Sequence, residues 1–190
     1  MNLAIYASGS GTNAEELIRY FRGHGNIRVG LVVTNKANAG VRAKAEAAGI
    51  PSVLLPPEAV KDGHLQRDIL QSWQIDAIAL AGYLKLVPAA LVQAYPDRIF
   101  NIHPALLPKF GGPGMYGIHV HQAVLAAGEA ESGCTIHLVN EHYDEGRVLA
   151  QGRVAVQPGW TAEQLQQAVL AQEHQLYAPT IERFLINSTQ

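Results

Sequence analysis

Apolar runs of strand length recur along this chain. Residues 3–7, 27–34 and 75–81 pass almost without a polar side chain. A strand with one face in water alternates apolar and polar residues, whereas an unbroken run must be covered on both sides. Between these runs lie segments with helical spacing, at 14–22, 39–48 and 65–73. This alternation predicts an α/β fold, a doubly wound, mostly parallel sheet flanked by helices. With 190 residues, 48% of them hydrophobic, the chain is one domain's worth and can bury a sizeable core. No internal repeat, low-complexity segment or linker divides it.

The net charge of −2 gives no reason to expect nucleic acid or an anionic membrane as partner. A single cysteine, Cys134, cannot form an internal disulfide and suggests a reducing compartment. The start is apolar but short for a signal sequence, and no run reaches the roughly 20 apolar residues of a membrane span. These features point to a cytoplasmic protein acting on small molecules.

The stretch from Ile99 to Lys109 reads as a buried strand that stops at Pro104. Two residues apart on a strand, Asn101 and His103 share a face. Pro104 holds them at the strand's carboxyl edge, where ligands bind in open parallel sheets. An imidazole and a neutral amide suit acyl transfer, as general acid or base and as oxyanion donor. The alternative is a turn-capping asparagine beside a satisfied core histidine.

Residues 8–13, Ser-Gly-Ser-Gly-Thr-Asn, join the first strand to the first helix. Such a turn points N–H groups at an anion with the helix dipole behind them. A third glycine in dinucleotide spacing, a ribose-binding acid after strand two and a Gly-Lys-Ser/Thr are all missing. What remains is a site for one phosphate, as on a phosphosugar, or a turn that is glycine-rich for packing alone. Residues 82–88 form an apolar loop that could line a flat-ligand pocket or begin a packed helix. Residues 111–117 are a flexible glycine-rich loop. His119 and His121 open the next helix without sharing a face, which argues against metal.

Strands at 133–140 and 148–156 flank a polar turn carrying Asp144, an acid that is ordinarily solvated. Thr161 and Gln164 form a capping box for a final helix reaching about residue 185. Glu173 lies on its apolar stripe and must hold a polar partner, either a ligand hydroxyl or amine, or an arginine or backbone N–H.

Taken together, residues 9–13, the Asn-Ile-His-Pro-Ala-Leu-Leu-Pro stretch of 101–108 and the Asp-Glu-Gly turn of 144–146 resemble the phosphoribosylglycinamide formyltransferase family. The resemblance runs from Met1 to about Leu185. It implies one formyltransferase domain over 1–190, with a phosphate-binding half (1–100) and a catalytic and folate-binding half (101–190). It implies 10-formyltetrahydrofolate as cosubstrate, no metal, and a monomer or homodimer. It makes Gly11, Thr12 and Asn13 the ribonucleotide phosphate loop and Glu173 a ribose contact. Leu84, Lys85, Leu86 and Val87, with Asn101, become the folate site; Asn101, His103 and Asp144 become the catalytic trio.

The chain departs from that pattern in three places. The 111–117 loop is longer than in many relatives. Lys85 stands where arginine is frequent, which keeps the charge but removes the planar fork. Asp62 or Gly63 falls where relatives often carry an arginine.

The implied mechanism is direct attack of the substrate amine on the formyl carbon. Asn101 and protonated His103 stabilise the formyl oxygen, and Asp144 is expected to raise the His103 pKa. Rival readings are a formylfolate hydrolase, a formyltransferase acting on another amine, a non-catalytic phosphosugar-binding protein, and a metal-dependent hydrolase using His103, His119, His121 or His137.

Overall fold

The computed structural model describes residues 1–187; the last three positions of the expected 1–190 domain lie outside them. The apolar runs become the inner strands. In chain order the elements are β1 (Asn2–Tyr6), α1 (Thr12–Tyr20), β2 (Arg28–Thr34), α2 (Val41–Ala47), β3 (Ser52–Leu54), α3 (Gly63–Ser72) and β4 (Ala77–Leu80). They continue with α4 (Ala89–Ala94), β5 (Ile99–His103), α5 (Ile118–Ala126), β6 (Glu131–Leu138), β7 (Val148–Ala155) and α6 (Ala162–Asn187).

The strands form one sheet in the order β3-β2-β1-β4-β5-β6-β7. It is parallel from β3 to β5, and β6 and β7 are antiparallel. Both faces of β1 are buried. Leu3, Ile5 and Ala7 join one core with side chains of α1, α2, α5 and α6, while Ala4 and Tyr6 join the other with Leu70 of α3 and Leu91 of α4. That is why the run carries no polar alternation. Among the described residues no helix is long and apolar enough to cross a membrane.

Two features refine the sequence reading. Helix α4 answers to the packed-helix alternative left open for residues 82–88, although it begins only at Ala89; it is six residues long and is anchored by the fully buried Leu91. Helix α1 begins at Thr12, two residues early, so Thr12 and Asn13 stand in its first turn. Helix α6 runs through the exposed Pro179, as the expected span to about residue 185 requires. The capping box at its start is present, with Thr161 N–H donating to Gln164 Oε1 and Gln164 N–H to Thr161 Oγ1.

From β1 the chain winds outward to β2 and β3, and from β4 it winds the other way to β5. The crevice at the carboxyl ends of β1 and β4 is therefore the topological switch point where doubly wound sheets bind ligands. Tyr177 of α6 pins this region, its hydroxyl lying 3.0 Å from Leu80 O and 3.1 Å from Phe100 O.

Candidate active site

A cavity of about 530 Å³ opens at that crevice. Its walls come from the turn after β1, the loop after β4, the end of β5, the 111–117 loop, the β6–β7 turn and α6. Of the residues expected at the site, all but Gly11 line it. Gly11 lies beneath the turn with φ 74°, and a Cβ there would meet Val41 Cβ at 2.7 Å. Ser8 ties two walls together: its hydroxyl donates to Asn35 Oδ1 and accepts from Leu84 N–H.

Asn101, His103 and Asp144 meet at the inner end. His103 is 3% exposed. Its Nε2 lies 2.8 Å from Phe110 O, and its Nδ1 lies 3.5 Å from Asp144 Oδ2. A carbonyl only accepts, so Nε2 carries a proton and Nδ1 faces the carboxylate. Asp144 Oδ2 also accepts from Gly112 N–H at 2.9 Å. The other carboxylate oxygen, Oδ1, lies 3.4 Å from Asn101 Nδ2.

Asp144 acts on the His103 pKa in the expected direction, but no net rise results. Burial lowers it, and the Asp144 charge and the Phe110 bond offset this only in part, so it lies below the ordinary imidazole value. Burial pushes Asp144 up, but the contact with His137, the His103 charge and the Gly112 N–H outweigh it and hold the carboxyl below its usual range.

His137, considered from sequence only as a ligand in the rival metal-dependent hydrolase, is instead a partner of Asn101. Its Nδ1 lies 2.8 Å from Leu138 O, so Nδ1 donates and Nε2 is left to accept from Asn101 Nδ2 at 3.1 Å. This fixes which way the Asn101 amide points. His137 stands directly across from Asn101 in the β5–β6 pairing, and no local signal could reveal that register. Gln166, Gln167 and Leu170 of α6 also line the cavity unforeseen. Their one signal was a position one or two helical turns before Glu173.

At the other end, the amino terminus of α1 faces the cavity with Ser10, Thr12 and Asn13. Glu173 is 6% exposed, and its partner is neither an arginine nor a backbone N–H. It is the Asn13 side chain, whose Nδ2 donates to Glu173 Oε2 at 2.6 Å. Burial lifts the Glu173 pKa to about 7 despite that bond. Asn13 Oδ1 is buried with no protein partner, so this polar end is incompletely satisfied.

On the third side Leu84, Lys85 and Leu86 are exposed at the mouth and Val87 is buried. Asp62 is not at the cavity; it caps α3 by accepting from His64 and Leu65 N–H. Gly63 has no room for a side chain, since a Cβ would sit 2.7 Å from Leu91 N. His119 and His121 diverge as their spacing requires. His119 is exposed beside Tyr116 and Gln122, whereas His121 is buried in the cavity wall and burial lowers its pKa to about 4. Among the described residues no group of three or more His, Cys, Asp or Glu could hold a metal ion.

Residues 1–181 match the family described as Formyl transferase. The chain is 48% identical over 186 residues to a chloroplastic phosphoribosylglycinamide formyltransferase of Arabidopsis thaliana, covering 94% of this chain and 63% of that protein. It therefore spans just under two thirds of that plant relative. A solved phosphoribosylglycinamide formyltransferase from Brucella melitensis is 40% identical with a TM-score of 0.86, covering 96% of this chain and 94% of that one. One from Bacillus halodurans is 37% identical with a TM-score of 0.87, covering 97% and 95%.

Proposed function

The chain belongs to the formyl transferase family, and on that premise we propose that it formylates the amine of 5′-phosphoribosylglycinamide with 10-formyltetrahydrofolate, in de novo purine biosynthesis. The observation that carries this reading is the single cavity that joins three chemistries. One end has a helix amino terminus suited to a phosphate, the middle has Asn101, His103 and Asp144, and the far wall is apolar. The relatives named phosphoribosylglycinamide formyltransferase support the choice of substrate.

In this reading Gly11, Thr12 and Asn13 form the phosphate loop, with Gly11 shaping the turn from beneath, and Glu173 accepts from a ribose hydroxyl. The residues fit the folate cosubstrate: Leu84, Leu86 and Val87 offer apolar surface beside Leu80 and Val139, and Lys85 adds a cation at the mouth. The cosubstrate supplies an activated formyl group. The chain's own groups orient it and move the proton. One N–H of Asn101 is held by His137; the other makes only a long 3.4 Å contact with Asp144 Oδ1 and turns to the charge that develops on the formyl oxygen. Loss of such a donor typically costs about 3–4 kcal/mol. His103, mainly neutral near pH 7, accepts a proton at Nδ1 from the attacking amine, beside the Asp144 carboxylate, and returns it to the departing nitrogen.

The division into a phosphate-binding half (1–100) and a catalytic half (101–190) remains part of the proposal, with Leu84 to Val87 lending the first half's surface to the folate site. We further place the enzyme in the cytoplasm, as a monomer or homodimer working on small molecules. The deciding assay supplies 10-formyltetrahydrofolate and phosphoribosylglycinamide to the purified chain. Formation of formylated ribonucleotide supports the proposal; donor hydrolysis independent of the amine would overturn it.

A further inference from the structure

We propose that the backbone corner Phe110-Gly111-Gly112 is the positioning element of the catalytic pair, with the Phe110 carbonyl setting the tautomer of His103 and the Gly112 amide aiming Asp144. The proposal rests on the catalytic roles given above to His103 and Asp144. Both contacts come from one three-residue segment: His103 Nε2 donates to Phe110 O at 2.8 Å, and Gly112 N–H donates to Asp144 Oδ2 at 2.9 Å. The corner thus holds the outer nitrogen of the imidazole and one oxygen of the carboxylate. Nδ1 and that same oxygen are left facing each other at 3.5 Å.

Backbone angles show that the corner is imposed by its surroundings. Phe110 has φ 57°, left-handed for a residue with a bulky side chain, and Gly112 has φ 94°. A bulky non-glycine residue is disfavoured there, so the fold must supply the restraint. Asp144 also has φ 57°, so the carboxylate is presented by a left-handed residue as well. The segment leading to the corner is fastened to the sheet. Leu107 N–H donates to Thr135 Oγ1, that hydroxyl donates to Ala105 O, and Gln151 Nε2 donates to Leu107 O. Gly111 lies so close to the turn that a Cβ would stand 3.3 Å from Asp144 Cβ.

The chemical consequence follows from the donor inventory of histidine. With the Nε2 proton committed to a carbonyl, a neutral His103 presents its lone pair at Nδ1. The proton taken from the amine enters at the nitrogen beside Asp144, and the acid–base atom of the site is therefore Nδ1. Without the Phe110 carbonyl the neutral ring would favour the other tautomer, whose Nδ1–H could donate to Asp144. That ring could take up no amine proton at Nδ1.

The test is ¹⁵N NMR of the imidazole in the intact wild-type chain, at a pH where His103 is neutral. The expected spectrum is a protonated Nε2 with a coupling across the hydrogen bond to the Phe110 carbonyl carbon. A neutral His103 protonated at Nδ1 overturns the proposal. This readout is independent of turnover: if the tautomer is as stated but no formyl transfer occurs, the function is wrong and the clamp stands. If transfer occurs with the opposite tautomer, the clamp alone falls.

Two substitutions then separate the backbone from the phenyl ring. Asparagine tolerates left-handed angles and valine resists them, although valine is the better apolar replacement. We expect Phe110→Val to shift His103 toward the Nδ1–H tautomer and to lower kcat roughly tenfold to a hundredfold with little change in either KM. Phe110→Asn should restore the wild-type ¹⁵N signature. The reverse order, with valine wild-type-like and asparagine impaired, would show that ring packing matters and not the carbonyl's direction, and would overturn the proposal.

Discussion

Asp144 acts on His103 against burial, and the balance between the two sets the sign of the shift expected when Asp144 is changed. Burial lowers the imidazole pKa and the carboxylate raises it. Asp144→Asn removes the opposing influence, so the His103 pKa should fall further, and the limb of the kcat/KM profile that reports it should move to lower pH. An imidazole titration that does not move in Asp144→Asn would break the coupling. Because the two groups act as a unit, Asp144→Asn combined with His103→Ala should cost little more than His103→Ala alone. Losses that multiply would show independent roles. At the polar end, Asn13 and Glu173 join the phosphate turn to α6 across 160 positions of sequence. Asn13→Ala should raise the ribonucleotide KM by roughly tenfold, the worth of one hydrogen bond to a charged group, and leave the KM of the folate unchanged. Equal rises in both would place Asn13 in general folding instead.

At the scale of elements, a side chain at Gly11 does not report on phosphate binding alone. Its Cβ would strike Val41 at 2.7 Å and its φ is 74°, so Gly11→Ala should lose about 2 kcal/mol by urea unfolding before any ligand is added. Unchanged stability would show that α1 and α2 can separate at no cost. Tyr177 makes a second test of the frame. Its hydroxyl links α6 to the ends of β4 and β5, and Tyr177→Phe should lower stability by about 1–2 kcal/mol.

How far these elements could be read from sequence follows from the range of the forces that make them. Strands β1, β2 and β4 were legible because two-sided burial leaves an unbroken apolar run, and Pro104 marked the end of β5. Helix α4 was legible only as an alternative for the apolar stretch before it, because six residues around one buried Leu91 carry too little period to decide. The His137–Asn101 contact was not, because it depends on the register between antiparallel strands 36 positions apart. Asp144 came from resemblance alone; it reaches His103 through the β6–β7 pairing, which no local pattern encodes.

Of the buried ionisable groups in the cavity wall, Glu173 and His121 have effects on stability that oppose each other. Glu173 has a folded pKa of about 7 against an ordinary 4.5. The folded state therefore binds its proton more tightly, and the stability this gives is complete below pH 4.5 and lost as pH rises through 7. His121 has a folded pKa of about 4 against 6.5. Its contribution is complete above pH 6.5 and is lost as pH falls toward 4. Each difference of about 2.5 units corresponds to about 3 kcal/mol, with opposite slopes between pH 4.5 and 6.5. In the wild-type chain these two contributions should therefore largely cancel across that window, leaving the rise with pH that the lowered His103 pKa adds. Glu173→Gln removes one slope and exposes the other. Its stability should climb from pH 4.5 to 6.5 and then level off, and above pH 7 it should exceed the wild type, which must bury an ionised carboxylate there. Urea unfolding of both chains at intervals from pH 4.5 to 8 measures the difference directly. Two curves that run parallel throughout would mean that Glu173 ionises in the folded protein as it does in water, and that its bond to Asn13 is strong enough to offset burial.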